Sequence, residues 1–135
     1  MAGYSLTPLK KKLGISDALK VLVVNIPADY MSLLDADISK QLVKNGREAD
    51  LIHIFAGSQK ELEDHFLRAI ALAKEGLIIW ISWYKKASGI KTDITEDKIR
   101  SIVLPKGWVD VKVCAVSDIW SGLKIVKRKT GTRNI

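Results

Sequence analysis

The chain has 135 residues, enough to bury a core without metal or disulfide support. Hydrophobic residues make up 47% and charged ones 27%, which excludes a disordered or fibrous chain and points to one globular domain. A single cysteine, Cys114, excludes an internal disulfide and a multi-cysteine metal site, so a reducing cytoplasm is the expected location.

Lys and Arg number 22 against 15 Asp and Glu, a formal charge of +7 that favours anionic partners or serves solubility. The opening "MAGYSLTPLKKK" has no apolar core of signal-peptide length before its charges. The run "LIIWISW" is far shorter than the roughly 20 residues of a membrane helix. No membrane association is expected.

In chain order, Thr7 and Pro8 open a short helix, with a hydroxyl at the N-cap and proline at the first helical position. Leu9 and Leu13 share its face, and Gly14 stops it. "LKVLVVNIP" is a strand without polar alternation, the pattern of burial on both faces in a parallel sheet. "ADYMSLLD" reads as a brief helix, and a short strand is expected near Gln41 to Lys44. "DLIHIFAG" is a second buried strand. It runs into a helix whose Ser58 and Glu61 have capping-box spacing, whose inner face carries Leu62, Phe66, Ala69 and Ala73, and which Gly76 ends. "LIIWISW" is the third buried strand. Thr95 then caps a helix bearing Ile99, Ile102 and Val103 that finishes before Pro105. "WVDVKVCAV" and "GLKIVKR" follow with only "SDIWS" between them. The first alternates Val109, Val111, Val113 and Ala115 against polar positions, so an antiparallel hairpin is expected at the sheet edge.

Strands alternating with helices predict an α/β three-layer sandwich: a mostly parallel sheet closed by a C-terminal antiparallel hairpin. By analogy this is the class I methyltransferase-like, Rossmann-like architecture, which does not itself give an activity. Residues 1–135 are expected to form a single domain, with about 127–135 a basic, flexible tail.

Ligands of open α/β sheets bind beyond the carboxyl ends of the strands. Three segments converge there: Asn25 to Pro27, Gly57-Ser58, and the loop from Trp83 to Thr92. The loop places Lys85 and Lys86 beside Ser88-Gly89, where ammonium groups and turn amides could hold a phosphate or carboxylate. Trp120 in the hairpin could line the same cleft. The candidate ligand-binding residues are therefore Asn25, Ser58, Lys85, Lys86, Ser88, Gly89, Thr92 and Trp120. Asp93 and Glu96 partly neutralise that end, and a lysine-rich loop before a capped helix is more often plain surface.

A methyltransferase needs a glycine-rich turn after its first strand, where the backbone closely approaches the cofactor. Here the turn reads "VNIPADY", without glycine and with one amide removed by Pro27. No acidic residue for the ribose hydroxyls is found in "QLVKNGREAD", and the dinucleotide fingerprint and P-loop are absent. No cofactor is expected on this reading, and S-adenosylmethionine belongs only to the alternative of a divergent transferase. His53 reads as a satisfied core histidine, His65 as a surface residue, and Cys114 as an inert mid-strand thiol. Trp80 and Trp83 read as core, while Trp108 and Trp120 flank the hairpin. No catalytic triad or metal set is expected.

"AGYS-x-TPL-x-KKLGI", "KKASG", "TD-x-TE" and "VCAV-x-x-x-WSGLK" together resemble an uncharacterised bacterial family, a domain of unknown function. The resemblance runs nearly end to end. It implies a stand-alone cytoplasmic protein of methyltransferase-like fold with no established activity, in which a proline-containing turn after the first strand is a family trait. Its motif residues fall on Lys85, Lys86, Ser88, Gly89, Thr92, Asp93, Asp118, Trp120, Ser121 and Gly122, without assigned roles.

The leading expectation is a non-enzymatic binding protein for a small anionic ligand or a protein partner at the carboxyl end of the sheet. The alternatives are a divergent methyltransferase-like transferase and weak nucleic-acid association through the basic surface.

Overall fold

The computed structural model describes residues 8–129. Its elements are α1 (Leu9–Leu13), β1 (Val21–Val24), α2 (Tyr30–Leu34), β2 (Leu51–Phe55), α3 (Gln59–Ala71), β3 (Ile78–Tyr84), α4 (Glu96–Val103), β4 (Trp108–Ala115) and β5 (Trp120–Lys127). One sheet has the order β1-β2-β3-β5-β4. The first three strands run parallel, β5 runs antiparallel to β3, and β4 runs antiparallel to β5.

The uninterrupted apolar runs are buried because both faces of the sheet are covered. On one side Leu62, Phe66 and Ala69 of α3 and Ile99 and Val103 of α4 pack against Ile52, Ile54, Ile79 and Ile81. On the other, Leu13 of α1 and Tyr30 and Leu34 of α2 cover Leu51, Phe55 and Trp80. The Trp80 indole donates to the Leu13 carbonyl at 2.9 Å, fixing α1 to the central strand. These are the three layers the sequence predicted.

Several expectations are corrected. The strand near Gln41 to Lys44 is only a parallel bridge between Val21 and Leu42 after a 3-10 turn at Ser39–Gln41. The Gln41 amide donates to the Ser16 and Leu19 carbonyls at 2.7 and 2.8 Å, so side-chain bonds hold this segment where a ladder would have. α3 ends at Ala71, and Gly76, at φ 84°, belongs to the turn before β3. Pro8 sits at the cap of α1 and Thr7 lies outside the described residues. The antiparallel hairpin does stand at the sheet edge as expected, with β5 between β3 and β4 and β4 outermost. The ladder slips between Asp110 and Lys112, and Val111 and Val113 emerge exposed, so the alternation of β4 does not mark a core face. β5 extends through Lys127, and the Arg128 N–H donates to the Gly107 carbonyl at 2.8 Å, so the first part of the expected tail is held; 130–135 lie outside the described residues.

Candidate functional site

At the carboxyl ends of the parallel strands, Asn25 follows β1 with φ 60°, the left-handed conformation that tight turns require. Its Nδ2 donates to the Phe55 carbonyl at 3.0 Å and lies 3.3 Å from His65 Nε2. α3 thus brings to the rim a histidine that the sequence reading left on the surface.

Ser58 is the N-cap of α3, its hydroxyl accepting from the Glu61 N–H at 3.2 Å. The Glu61 carboxylate reaches back one residue further than an ordinary capping box and accepts from the Gly57 N–H at 2.6 Å. Asp93 adds a second anion, accepting from the Gln59 N–H at 2.8 Å, while the Gln59 amide donates to the Asp93 carbonyl at 2.9 Å. Thr92 Oγ1 donates to the Gly57 carbonyl at 2.8 Å and accepts from the Ile94 N–H at 3.2 Å. The "TD" pair therefore fastens the loop after β3 onto the start of α3. Carboxylates of the chain itself take up the helix-end donors that an anion would need.

The Ser-Gly turn is likewise self-contained. The Ser88 and Gly89 N–H groups donate to the Lys85 and Lys86 carbonyls at 3.0 and 3.2 Å, and Ser88 Oγ accepts from the Ile90 N–H at 3.1 Å. Gly89 closes this 3-10 turn at φ 77°. The amide nest expected there is occupied, which leaves the Lys85 and Lys86 side chains as the loop's contribution to binding.

The lysine loop and Trp120 do share one rim. The Lys85 N–H donates to the Ile119 carbonyl at 2.8 Å, and Tyr84 pairs in register with Trp120. Their rings stack with centroids 4.3 Å apart, and Trp120 meets Phe55 edge-on at 4.9 Å. Tyr84 also covers Gly57, where an added Cβ would lie 3.5 Å from its ring. Gly122 of "WSGLK" has a packing reason: a Cβ there would sit 3.0 Å from Val116 and 3.4 Å from Trp80. The sequence reading placed Tyr84 only within the loop from Trp83 to Thr92, because nothing in one strand announces its neighbour's ring.

Beneath this rim lies a buried polar chain. Tyr30 OH is 2.9 Å from His53 Nδ1, and His53 Nε2 is 2.7 Å from Ser82 Oγ. Burial pushes the imidazole down to about 3 and the phenol up, so both stay neutral at neutral pH. With His53 and Ser82 fully enclosed, the trio ties α2 to β2 and β3 and offers solvent no nucleophile. His53 is the satisfied core histidine the sequence suggested. The Cys114 thiol is pushed up by burial, which disfavours the reactive thiolate. Among the described residues no cluster of three or more His, Cys, Asp or Glu is placed to hold a metal ion. None of their helices is long and apolar enough to cross a membrane.

β1 is flanked by β2 on one side and by the parallel bridge of Leu42 to Val21 on the other, so chain order reverses at β1, and the ends of β1 and β2, at Asn25 and Gly57, flank a switch point of the kind where such sheets seat ligands. A separate hollow of about 1070 Å³ lies at the amino end of β3, away from this rim.

Neither a protein-family model nor a curated protein matches the sequence. Solved structures do match in fold. A protein of the NADB-Rossmann superfamily from Streptococcus agalactiae superposes with a TM-score of 0.60 at 10% identity, over 96% of this chain and 72% of its own. A ribosomal protein L11 methylase from Lactobacillus delbrueckii subsp. bulgaricus gives 0.58 at 14% identity, over 90% and 75%. Magnesium protoporphyrin IX methyltransferase from Synechocystis PCC 6803, solved with bound SAM, gives 0.55 at 11% identity, over 82% and 70%. The fold is the class I methyltransferase-like Rossmann arrangement. The expectation of no cofactor is corrected on this finding: several of these neighbours are methyltransferases, and one was solved with bound SAM.

Proposed function

We propose that the chain is a divergent methyltransferase-like protein whose carboxyl rim binds S-adenosylmethionine. One observation carries this reading: Phe55 joins the Asn25 turn to the Tyr84–Trp120 stack, so a turn, an aromatic wall and Lys85 meet at the ligand edge of a fold whose solved relative holds that molecule.

The fit is partial. Asn25 supplies the left-handed turn, and Trp120 and Tyr84 supply flat apolar surface for an adenine ring. Pro27 offers no N–H, and the segment that would carry a ribose-binding acid is reduced to the bridge at Leu42. When bound, S-adenosylmethionine supplies an electrophilic methyl group; the residues present support its binding and no transfer step is derived from them.

Titration calorimetry with S-adenosylmethionine and S-adenosylhomocysteine tests the reading. Binding that weakens about tenfold in Trp120→Ala is expected, since base stacking contributes roughly 1–3 kcal/mol. Absence of binding by the unaltered protein overturns it, and unchanged affinity in Trp120→Ala moves the site off this rim.

A second reading is a binding protein for a small anionic ligand, supported by the exposed Lys86 and Lys91 beside Lys85 on the same rim. A thermal-shift response to phosphates or nucleotides that disappears in Lys85→Ala/Lys86→Ala would select it.

A further inference from the structure

The geometry points to a second binding site at the amino end of the sheet, for a phosphorylated small molecule of nucleotide size. The hollow there has about 1070 Å³, of the order of the roughly 300–1,000 Å³ that small-molecule sites occupy. Its cations come from separate segments. Lys106 ends the 3-10 turn after α4, Lys127 ends β5, and Arg128 follows it.

These segments are built together. The Arg128 N–H donates to the Gly107 carbonyl at 2.8 Å, and Lys127 pairs in register with Trp108. The fold thus holds the exposed Lys106, Lys127 and Arg128 around one concavity, with Lys129 also in its lining, against the single carboxylate of Glu75. Lys74, also in the lining, is already bound to Asp50 at 2.8 Å and is not counted among them. Such a concentration of like charge is relieved by an anion.

Part of the lining is apolar: Ile70 and Val126 are partly buried, and Trp108 is buried, edge-on to Phe66 at 6.0 Å. Apolar and cationic lining together match a ligand that combines a flat ring with phosphates. The volume favours a single nucleotide over a polymer.

This site is independent of the carboxyl rim, and its test separates the two. ADP is titrated at low salt into the full chain and into Lys106→Ala/Arg128→Ala, each with saturating S-adenosylmethionine present to occupy the carboxyl rim. The expected result is saturable binding, weakened at least tenfold in the double variant. Absence of ADP binding by the unaltered protein overturns the proposal, and so does equal affinity in the double variant. A twelve-nucleotide single strand that binds far more tightly than ADP, with steep salt dependence, also overturns it by making the hollow a nucleic-acid surface. Both altered side chains are exposed, and a thermal melt matching that of the unaltered protein excludes misfolding as the cause of lost binding.

Discussion

The two ends of the sheet are built on opposite plans. At the carboxyl end, Ser58, Glu61 and Asp93 accept from N–H groups at the start of α3, the Ser88–Gly89 turn closes on itself, and Tyr84, Trp120 and Phe55 pack ring against ring. At the amino end, Lys106, Lys127 and Arg128 stand around an open hollow. The motif-rich end is the one whose polar groups already serve the chain itself. "KKASG" and "TD-x-TE" therefore answer first to the closure of a loop, and a motif's density is a poor guide to where free binding capacity lies.

The contrast can be broken most directly at Phe55, whose ring touches Tyr30, His53 and Trp120. Phe55→Ala is expected to cost about 3–5 kcal/mol in urea unfolding, the range for a buried phenylalanine. A loss below about 1 kcal/mol would show that the aromatic end is not packed.

The next effect is in pH. His53 is neutral in the fold down to about 3 but takes a proton near 6.5 when unfolded, so between these values the unfolded chain binds more protons. Its contribution is complete above pH 6.5 and lost as pH falls toward 3, at about 1.4 kcal/mol per pH unit. Unfolding measured from pH 7 to 4 should show this slope, and His53→Gln should flatten it.

Smaller still, Ser58→Ala removes one cap and should destabilise by about 1 kcal/mol. Binding of S-adenosylmethionine should survive it, because the hydroxyl is spent on Glu61. Were binding lost without a matching loss of stability, Ser58 would be a ligand contact after all.

At the amino end, Lys106→Ala/Arg128→Ala should change stability by no more than about 0.5 kcal/mol, as exposed substitutions usually do. A larger loss would mean that this end, too, is structural.

Much of the fold was legible in the sequence because it depends on local pattern. Apolar runs without alternation marked β2 and β3 as doubly covered, and Ser58 and Thr95 marked helix starts by chemistry that acts within a few residues. The candidate site was legible only in outline. That Lys85 and Trp120 share a rim followed from strand order, whereas the filling of the donors at Ser58 and Ser88 did not. Asp93 reaches Gln59 across 34 positions and Asn25 reaches His65 across 40, distances over which sequence carries no signal of contact.

By itself, then, the sequence determined the layers, the buried strands and the absence of a glycine-rich turn, since burial and backbone freedom are properties of residues and their near neighbours. Tertiary structure decided which polar groups remain available, and that Lys106 and Arg128 surround one hollow. The first depends on how the loop after β3 meets α3, the second on the register of β5 between β3 and β4, and only the packed structure fixes either.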